Sequence, residues 1–361
     1  MIIIVAGTRP EIIKVAPILA ALSNLAIEHK FWVVRQHSDL IDQALDDFNL
    51  VPDLDIKLSR QNGGLPELAS TLFSATTPHV VQVTPQSIFV VQGDTTTAFI
   101  IGYLARILGH RLAHVEAGLR SYDENNPFPE EINRKLLTQI AEINFAPTLL
   151  AVENLKSSGI PENQIYQVGN TVVDSLISKI ALMTKKDAAL KVRSKILVTA
   201  HRRENWQTGI SKICEGLVMI IEEYPDILID IISHPNPVLQ QEWSIKLEKF
   251  EQVNIVHSIS YSETVKKIFE STIVLTDSGG IQEESTILGK PTGILRETTE
   301  RQEVLNFSEN RLIGTDPQKI FLYCKSHLDI SNKNEENFVI REIFGKGDSG
   351  LKIAEILGEK Y

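Results

Sequence analysis

Carboxylates at the ends of apolar runs are the first chemistry visible in the sequence. Asp94 follows the run Ser87 to Val91, within Gly93-Asp94-Thr95-Thr96-Thr97, and Glu116 follows Arg111 to Val115, within Glu116-Ala117-Gly118-Leu119-Arg120. Such runs read as strands buried on both faces of a parallel sheet, whose carboxyl-end edge is where ligands bind. After a polar loop, Ser121 to Pro127, Glu130 and Glu131 open a helical pattern carrying Ile132, Leu136, Leu137 and Ile140. Three carboxylate-bearing segments near one crevice suit acid/base work at carbon and oxygen, because like charges raise one another's pKa. The plainer reading of Glu130 and Glu131 is that acidic side chains in a first helical turn complement the helix dipole.

A second constellation lies at Ser271 to Leu288, STIVLTDSGGIQEESTIL. The apolar run Thr272 to Leu275 stops at Asp277, Ser278, Gly279 and Gly280, and a helical pattern through Ile281, Ser285 and Leu288 follows. Adjacent glycines let backbone come close to a ligand, and the free N–H groups of a new helix favour an anion, here a diphosphate. Glu284, one turn beyond Gly280, is placed to meet hydroxyls of a group attached to that phosphate. The alternative is a strand-to-helix turn with no ligand. Cations stand near other strand ends. Arg9 and Lys14 follow Ile2 to Ala6, in a stretch where Thr8 and Glu11 have capping-box spacing and Pro10 sits in the first helical turn. Cations at a helix N-terminus oppose its dipole, so an anion between them is expected. Arg301, in the charged run Arg296 to Glu303 after the strand Pro291 to Leu295, is a candidate phosphate or sugar ligand. His201 follows Ile196 to Ala200 and opens His-Arg-Arg-Glu-Asn, where it can contact phosphate or move a proton. His234, after Ile227 to Ile232, reads as structural.

These groups are carried by alternating strands and helices. Phe31 to Val34 reads as a strand leading to Gln36, His37 and a helix through Leu40, Ala44 and Phe48, and residues 59–79 are polar and then weakly helical. Glu142 to Ala146, Ala151 to Ser158 and a short helix from Gly169-Asn170-Thr171 to Ile180 continue the alternation. Lys185 to Ser194 reads as a linker, after which a second α/β half begins. A final helix from about Leu351 is expected to pack on the first half. The expected fold is therefore α/β and doubly wound, with domains at 1–180, joined by the helix 350–361, and at 195–345.

Composition narrows the partners. With 361 residues, 43% hydrophobic, the chain has material for two cores. A formal charge of −10 argues against nucleic acid or an anionic membrane as partner. Cys214 and Cys324 are the only cysteines, so neither a disulfide framework nor a metal site is expected, which fits a reducing cytoplasm. No metal-binding spacing of histidines or acidic residues occurs, and the N-terminal stretch shows neither a leader nor a spanning segment.

Taken together, AGTRPE at 6–11, GDTTT at 93–97, HVEAGLR at 114–120, PEEINR at 129–134, HRREN at 201–205, TDSGGIQEE at 276–284 and TTER at 298–301 resemble the non-hydrolysing UDP-N-acetylglucosamine 2-epimerase family. The likeness covers nearly the whole chain. It implies two Rossmann-like domains in a GT-B arrangement with the active site in the interdomain cleft. It also implies C2 epimerisation of a UDP-sugar through a 2-acetamidoglucal, without a cofactor. By this resemblance Asp94, Glu116, Glu130 and His201 are catalytic. Arg9, Lys14, Ser278, Gly279, Gly280, Glu284 and Arg301 bind the UDP-sugar, with Ile259 and Thr264 meeting uracil through their backbone, and the chain forms a homodimer. Gln36 and His37 match part of a second, allosteric site. Around that site the sequence departs from the family: Arg35 stands where a glycine is usual and Thr71 where an arginine is usual. Gln302 and Val304 also replace a usual proline and glycine. A modified UDP-2-acetamido sugar as substrate, a hydrolysing relative, a UDP-sugar sensor without turnover and a retaining glycosyltransferase are the alternatives.

Overall fold

The computed structural model describes residues 1–35, 39–59, 64–125, 127–183, 194–201, 206, 208–233, 236–257, 259–331 and 342–361. They form two compact units, Met1–Ile177 with Phe344–Tyr361, and Ser178–Ile343.

The first unit is built on seven parallel strands: β1 (Ile2–Ala6), β2 (His29–Arg35), β3 (Leu54–Lys57), β4 (Ile88–Gln92), β5 (Arg111–Val115), β6 (Ile143–Ala146) and β7 (Ile165–Gln167). Their order is β3-β2-β1-β4-β5-β6-β7. β1, β4 and β6 are buried at every residue, as continuous apolar runs require when helices cover both faces. One face carries Ile2, Ile4, Val90 and Val115 against α1 (Arg9–Asn24), α2 (Asp39–Asp47) and Ile353, Ala354 and Leu357 of the terminal helix (Ser349–Lys360). The other carries Ile3, Val5, Phe89 and Val91 against α3 (Gly64–Val80), α4 (Thr96–Ile107) and Leu137 of α5 (Glu130–Ile140). Each such aliphatic side chain taken out of water stabilises the fold by about 1.5–3 kcal/mol. Two further helices continue the alternation, α6 (Leu149–Ser157) and α7 (Thr171–Ala181), the last running past the unit's boundary at Ile177.

The second unit repeats the plan. Its strands are β8 (Lys195–Thr199), β9 (Leu228–Ser233), β10 (Val253–His257), β11 (Ile273–Thr276), β12 (Thr292–Ile294) and β13 (Arg311–Leu312), parallel and ordered β10-β9-β8-β11-β12-β13. The helices are α8 (Gly209–Glu223), α9 (Pro237–Leu247), α10 (Tyr261–Glu270), α11 (Gly279–Ile287) and α12 (Pro317–Ser331). Trp243, Ile213, Leu217 and Tyr323 from three of these helices close over Ile196, Ile229 and Ile273. Each unit is thus a Rossmann-like doubly wound sheet, as the alternation of apolar runs and amphipathic stretches implied.

In both sheets the winding reverses direction once, between β1 and β4 and between β8 and β11. Such a reversal splays the connections apart and leaves a crevice at the carboxyl ends of the two strands. The expected residues of both constellations follow strands at or beside these reversals.

Candidate active site

In the first unit, Gln92 on β4 lies opposite Val115 on β5, so Asp94 and Glu116 leave the sheet from neighbouring strands. Glu116 takes a left-handed backbone conformation, φ +67°, which a residue with a Cβ adopts at a cost of about 1–2 kcal/mol. Strain of this kind persists where the surroundings over-determine a side chain's direction. Here two donors meet one carboxylate oxygen: the Lys14 ammonium lies 2.7 Å from Glu116 Oε2, and the Gln92 amide donates to the same atom. Lys14 and Glu116 are both buried. The structure therefore gives Lys14, expected from sequence as a cation for a ligand, an ion pair with Glu116.

Asp94 is held from α5. The Arg134 guanidinium bridges Asp94 Oδ2 and Glu131 Oε2, the second at 2.6 Å, and the Asn133 amide donates to the Asp94 carbonyl at 2.9 Å. Glu131 also accepts the Ser121 N–H at 3.0 Å and is fully buried, whereas 24% of the Asp94 side chain faces solvent. The two adjacent glutamates thus divide: Glu131 clamps Arg134, and Glu130 stands half-buried at the first position of α5.

The capping box that the Thr8 and Glu11 spacing suggested does not form. Glu11 is drawn instead across the crevice, accepting the Gly7 N–H at 2.6 Å, the Thr8 hydroxyl at 3.1 Å and the Thr95 hydroxyl at 2.6 Å. Burial raises its carboxyl to about 7, with these hydrogen bonds pulling the other way. Arg9 is half-buried at the first position of α1.

In the second unit the reversal joins His201, just after β8, to the turn after β11. The His201 N–H donates to both carboxylate oxygens of Asp277, at 3.0 and 2.9 Å, and Asp277 is wholly buried. Ser278 is the N-cap of α11, and its side chain makes no capping bond. Gly279 and Gly280 are the first helical residues, so the unsatisfied N–H groups of the first turn are available to an anion. The glycines have different reasons. A Cβ on Gly279 would come within 2.9 Å of the Arg301 guanidinium carbon, whereas one on Gly280 would meet nothing within 4 Å. Arg301 is pinned over this turn by Glu283 at 3.2 Å and Glu300 at 2.5 Å, and Glu300 is itself paired with Arg296 at 2.9 Å. Glu284 is buried on α11.

Thr264 lies in the first turns of α10, where its N–H and hydroxyl both donate to the Ser260 carbonyl, at 3.0 and 2.9 Å. Those donors are consequently taken up within the helix. Ile259 is half-buried just ahead of that helix. Gln36, His37, His234 and the residues 202–205 lie outside the described residues. Among the described residues no group of three His, Cys, Asp or Glu side chains is arranged to hold a metal, and no helix is long and apolar enough to cross a membrane. Four residues that complete these constellations were not singled out from sequence: Gln92, Arg134, Glu283 and Glu300. Their signal was weak, being only polar residues at a strand end, inside helices or in a charged loop.

Comparisons with known proteins identify the chain's relatives. The family described as UDP-N-acetylglucosamine 2-epimerase matches residues 20–358. The chain is 35% identical to the UDP-N-acetylglucosamine 2-epimerase of Campylobacter jejuni, over 99% of this chain and 97% of the relative. It is likewise 35% identical to that of Salmonella typhimurium, over 99% and 98%. Among solved structures it is similar to the UDP-GlcNAc 2-epimerase of Neisseria meningitidis bound to UDP-GlcNAc, with a TM-score of 0.92 and 33% identity over 99% of both chains. The Methanocaldococcus jannaschii UDP-GlcNAc 2-epimerase in complex with UDP-GlcNAc and UDP gives a TM-score of 0.84 and 34% identity, again over 99% of both.

Proposed function

The chain belongs to the UDP-N-acetylglucosamine 2-epimerase family, and on that premise we propose that it interconverts UDP-N-acetylglucosamine and UDP-N-acetylmannosamine. The observation that carries this reading is the pairing of two chemistries: carboxylates oriented by buried donors at the end of β4 and β5, and an anion-receptive glycine turn beneath Arg301.

The C2 proton of the sugar is not acidic, so its removal needs a positioned base and a stabilised leaving group in the same step. A carboxylate takes the C2 proton while the C1–O bond to the diphosphate breaks, giving 2-acetamidoglucal and UDP. Return of a proton to the opposite face of C2, with the diphosphate oxygen adding back to C1, yields the epimer and restores every atom. Asp94, Glu116 and Glu130 are the acid/base candidates, with His201 beside the diphosphate turn. Ser278, Gly279, Gly280 and Arg301 stabilise the departing diphosphate through N–H donors and charge, and Glu284 serves the ribose hydroxyls. Arg9 supplies a second cation. The sites proposed for uracil at Ile259 and Thr264 rest on their place ahead of and within α10, and Gln36 and His37 remain a proposed effector site.

We place this activity in the cytoplasm, where two buried free thiols, Cys214 and Cys324, are at home. We also propose a homodimer, for which the exposed apolar side chains Tyr103 and Ile107 on α4 and Leu136 on α5 supply a surface. Chromatography of the reaction with UDP-N-acetylglucosamine alone, without nicotinamide cofactor, metal or acceptor, tests the function. UDP-N-acetylmannosamine is the expected product. Accumulation of free N-acetylmannosamine and UDP would assign the hydrolysing reaction instead, and an inert mixture would point to a modified UDP-sugar or a sensor.

A further inference from the structure

We propose that Gln92 and His114 are positioning residues that brace the two reactive carboxylates crosswise, each from the strand that bears the other carboxylate. Gln92, on β4 two residues before Asp94, holds the Glu116 carboxylate; His114, on β5 two residues before Glu116, holds the peptide that leads into Asp94. The inference rests on the reading of Asp94 and Glu116 as acid/base groups.

The geometry makes each brace specific. Lys14 approaches Glu116 Oε2 as a compact charge on a long flexible stem, which attracts the carboxylate without fixing its plane. The Gln92 amide donates to the same oxygen from the opposing strand, and at 3% exposure it has no water to exchange for that bond. Being neutral, it fixes direction without adding charge. In the other brace, His114 Nε2 lies 2.7 Å from the Gly93 carbonyl. A carbonyl only accepts, so the ring is protonated at Nε2. Burial pushes the His114 imidazole down to about 4, so the neutral ring and its N–H persist through the physiological range. Gly93 needs such support. It sits at φ +75° with no side chain to pack, and its N–H donates to the Val115 carbonyl at 3.0 Å. Both polar groups of Gly93 are therefore held by β5, and the Asp94 carbonyl beyond it is held by Asn133 at 2.9 Å. A displacement on the order of 1 Å at a reacting group can cost ~100-fold in rate.

The test compares the wild type with Gln92→Leu, Gln92→Glu, His114→Gln and His114→Leu, measuring kcat and KM on UDP-N-acetylglucosamine across pH, with UDP affinity and melting temperature alongside. Gln92→Leu is expected to lower kcat by ~10- to 100-fold with KM within about threefold. Gln92→Glu puts a second carboxylate against Glu116; the two share a proton, and the acidic limb of the kcat profile moves upward by about one pH unit or more. His114→Gln, whose amide N–H reaches the same carbonyl, is expected to keep ~10-fold more kcat than His114→Leu. An unshifted limb in Gln92→Glu, or a Gln92→Leu loss confined to KM, would overturn the inference; if Gln92→Leu fails to fold, the Gln92→Glu limb decides alone. An active wild type with indifferent variants removes only these braces. A wild type without turnover removes the functional reading and the braces with it.

Discussion

Glu11 spans the strand reversal of the first unit and Asp277 that of the second, yet they do different work. Glu11 gathers donors from the turns after β1 and β4 and has a carboxyl raised by burial to about 7, while Asp277 accepts the His201 N–H on both carboxylate oxygens and so fixes His201 beside the glycine turn. Beyond these bridges the first unit's edge presents carboxylates, each matched to a buried cation, Lys14 for Glu116 and Arg134 for Asp94. The second presents N–H groups at a helix start under an arginine held by two carboxylates. The same winding thus supplies a place, and the residues at that place decide which chemistry it can host.

The largest effects should separate these two roles. Asp94→Asn or Glu116→Gln is expected to lower kcat by ~100-fold or more, while UDP affinity by calorimetry stays near wild type. Gly280→Asp should do the reverse: its side chain has room, so the fold survives, but a negative charge at the first turn of α11 should weaken UDP binding by ~10-fold. If both kinds of variant lowered kcat and affinity alike, the division between the units would be lost.

Two buried groups in the first unit give the next effect, of opposite sign. Glu11 keeps its proton in the fold up to about 7 while the unfolded chain releases it near 4.5, so its contribution to stability declines as pH rises between those values. His114 stays neutral in the fold down to about 4 while the unfolded chain takes a proton near 6.5, so its contribution declines as pH falls between those values. Each full swing is on the order of 3 kcal/mol, and between about pH 4.5 and 6.5 the two oppose. Urea titrations should therefore show a steeper acid loss in Glu11→Gln and an uncovered decline toward neutral pH in His114→Gln. Unchanged pH slopes in both would remove the assignment of these groups.

The smallest effect distinguishes adjacent glycines. Gly279→Ala forces a methyl against the pinned Arg301 guanidinium and should destabilise by about 1–3 kcal/mol. Gly280→Ala enters open space inside a helix and should be neutral or stabilising by up to about 1 kcal/mol. Equal melting temperatures would place Arg301 elsewhere.

What the sequence revealed follows the physics of burial. β1, β4, β5, β8 and β11 were legible because central parallel strands are covered on both faces and their ends are punctuated by glycine or polar residues. β3, β10 and β13 were not read: the first has alternate residues exposed, the second is an edge strand, and the last is two exposed residues. In the site, Asp94, Glu116 and the glycine turn announced themselves by position. Arg134 and Gln92 did not, because their meaning lies in contacts 40 and 24 residues away that no local pattern encodes. Glu11 shows the converse, a local pattern overridden when Thr95 offers a donor from another turn.

Proton NMR of the protein with UDP-N-acetylglucosamine in deuterated water follows the C2 proton itself. UDP-N-acetylmannosamine carrying deuterium at C2 is the expected product, with incorporation lost in Asp94→Asn or Glu116→Gln while UDP still binds. Epimer formed with its original C2 hydrogen retained, or full incorporation in both variants, would contradict proton transfer at C2 by these carboxylates.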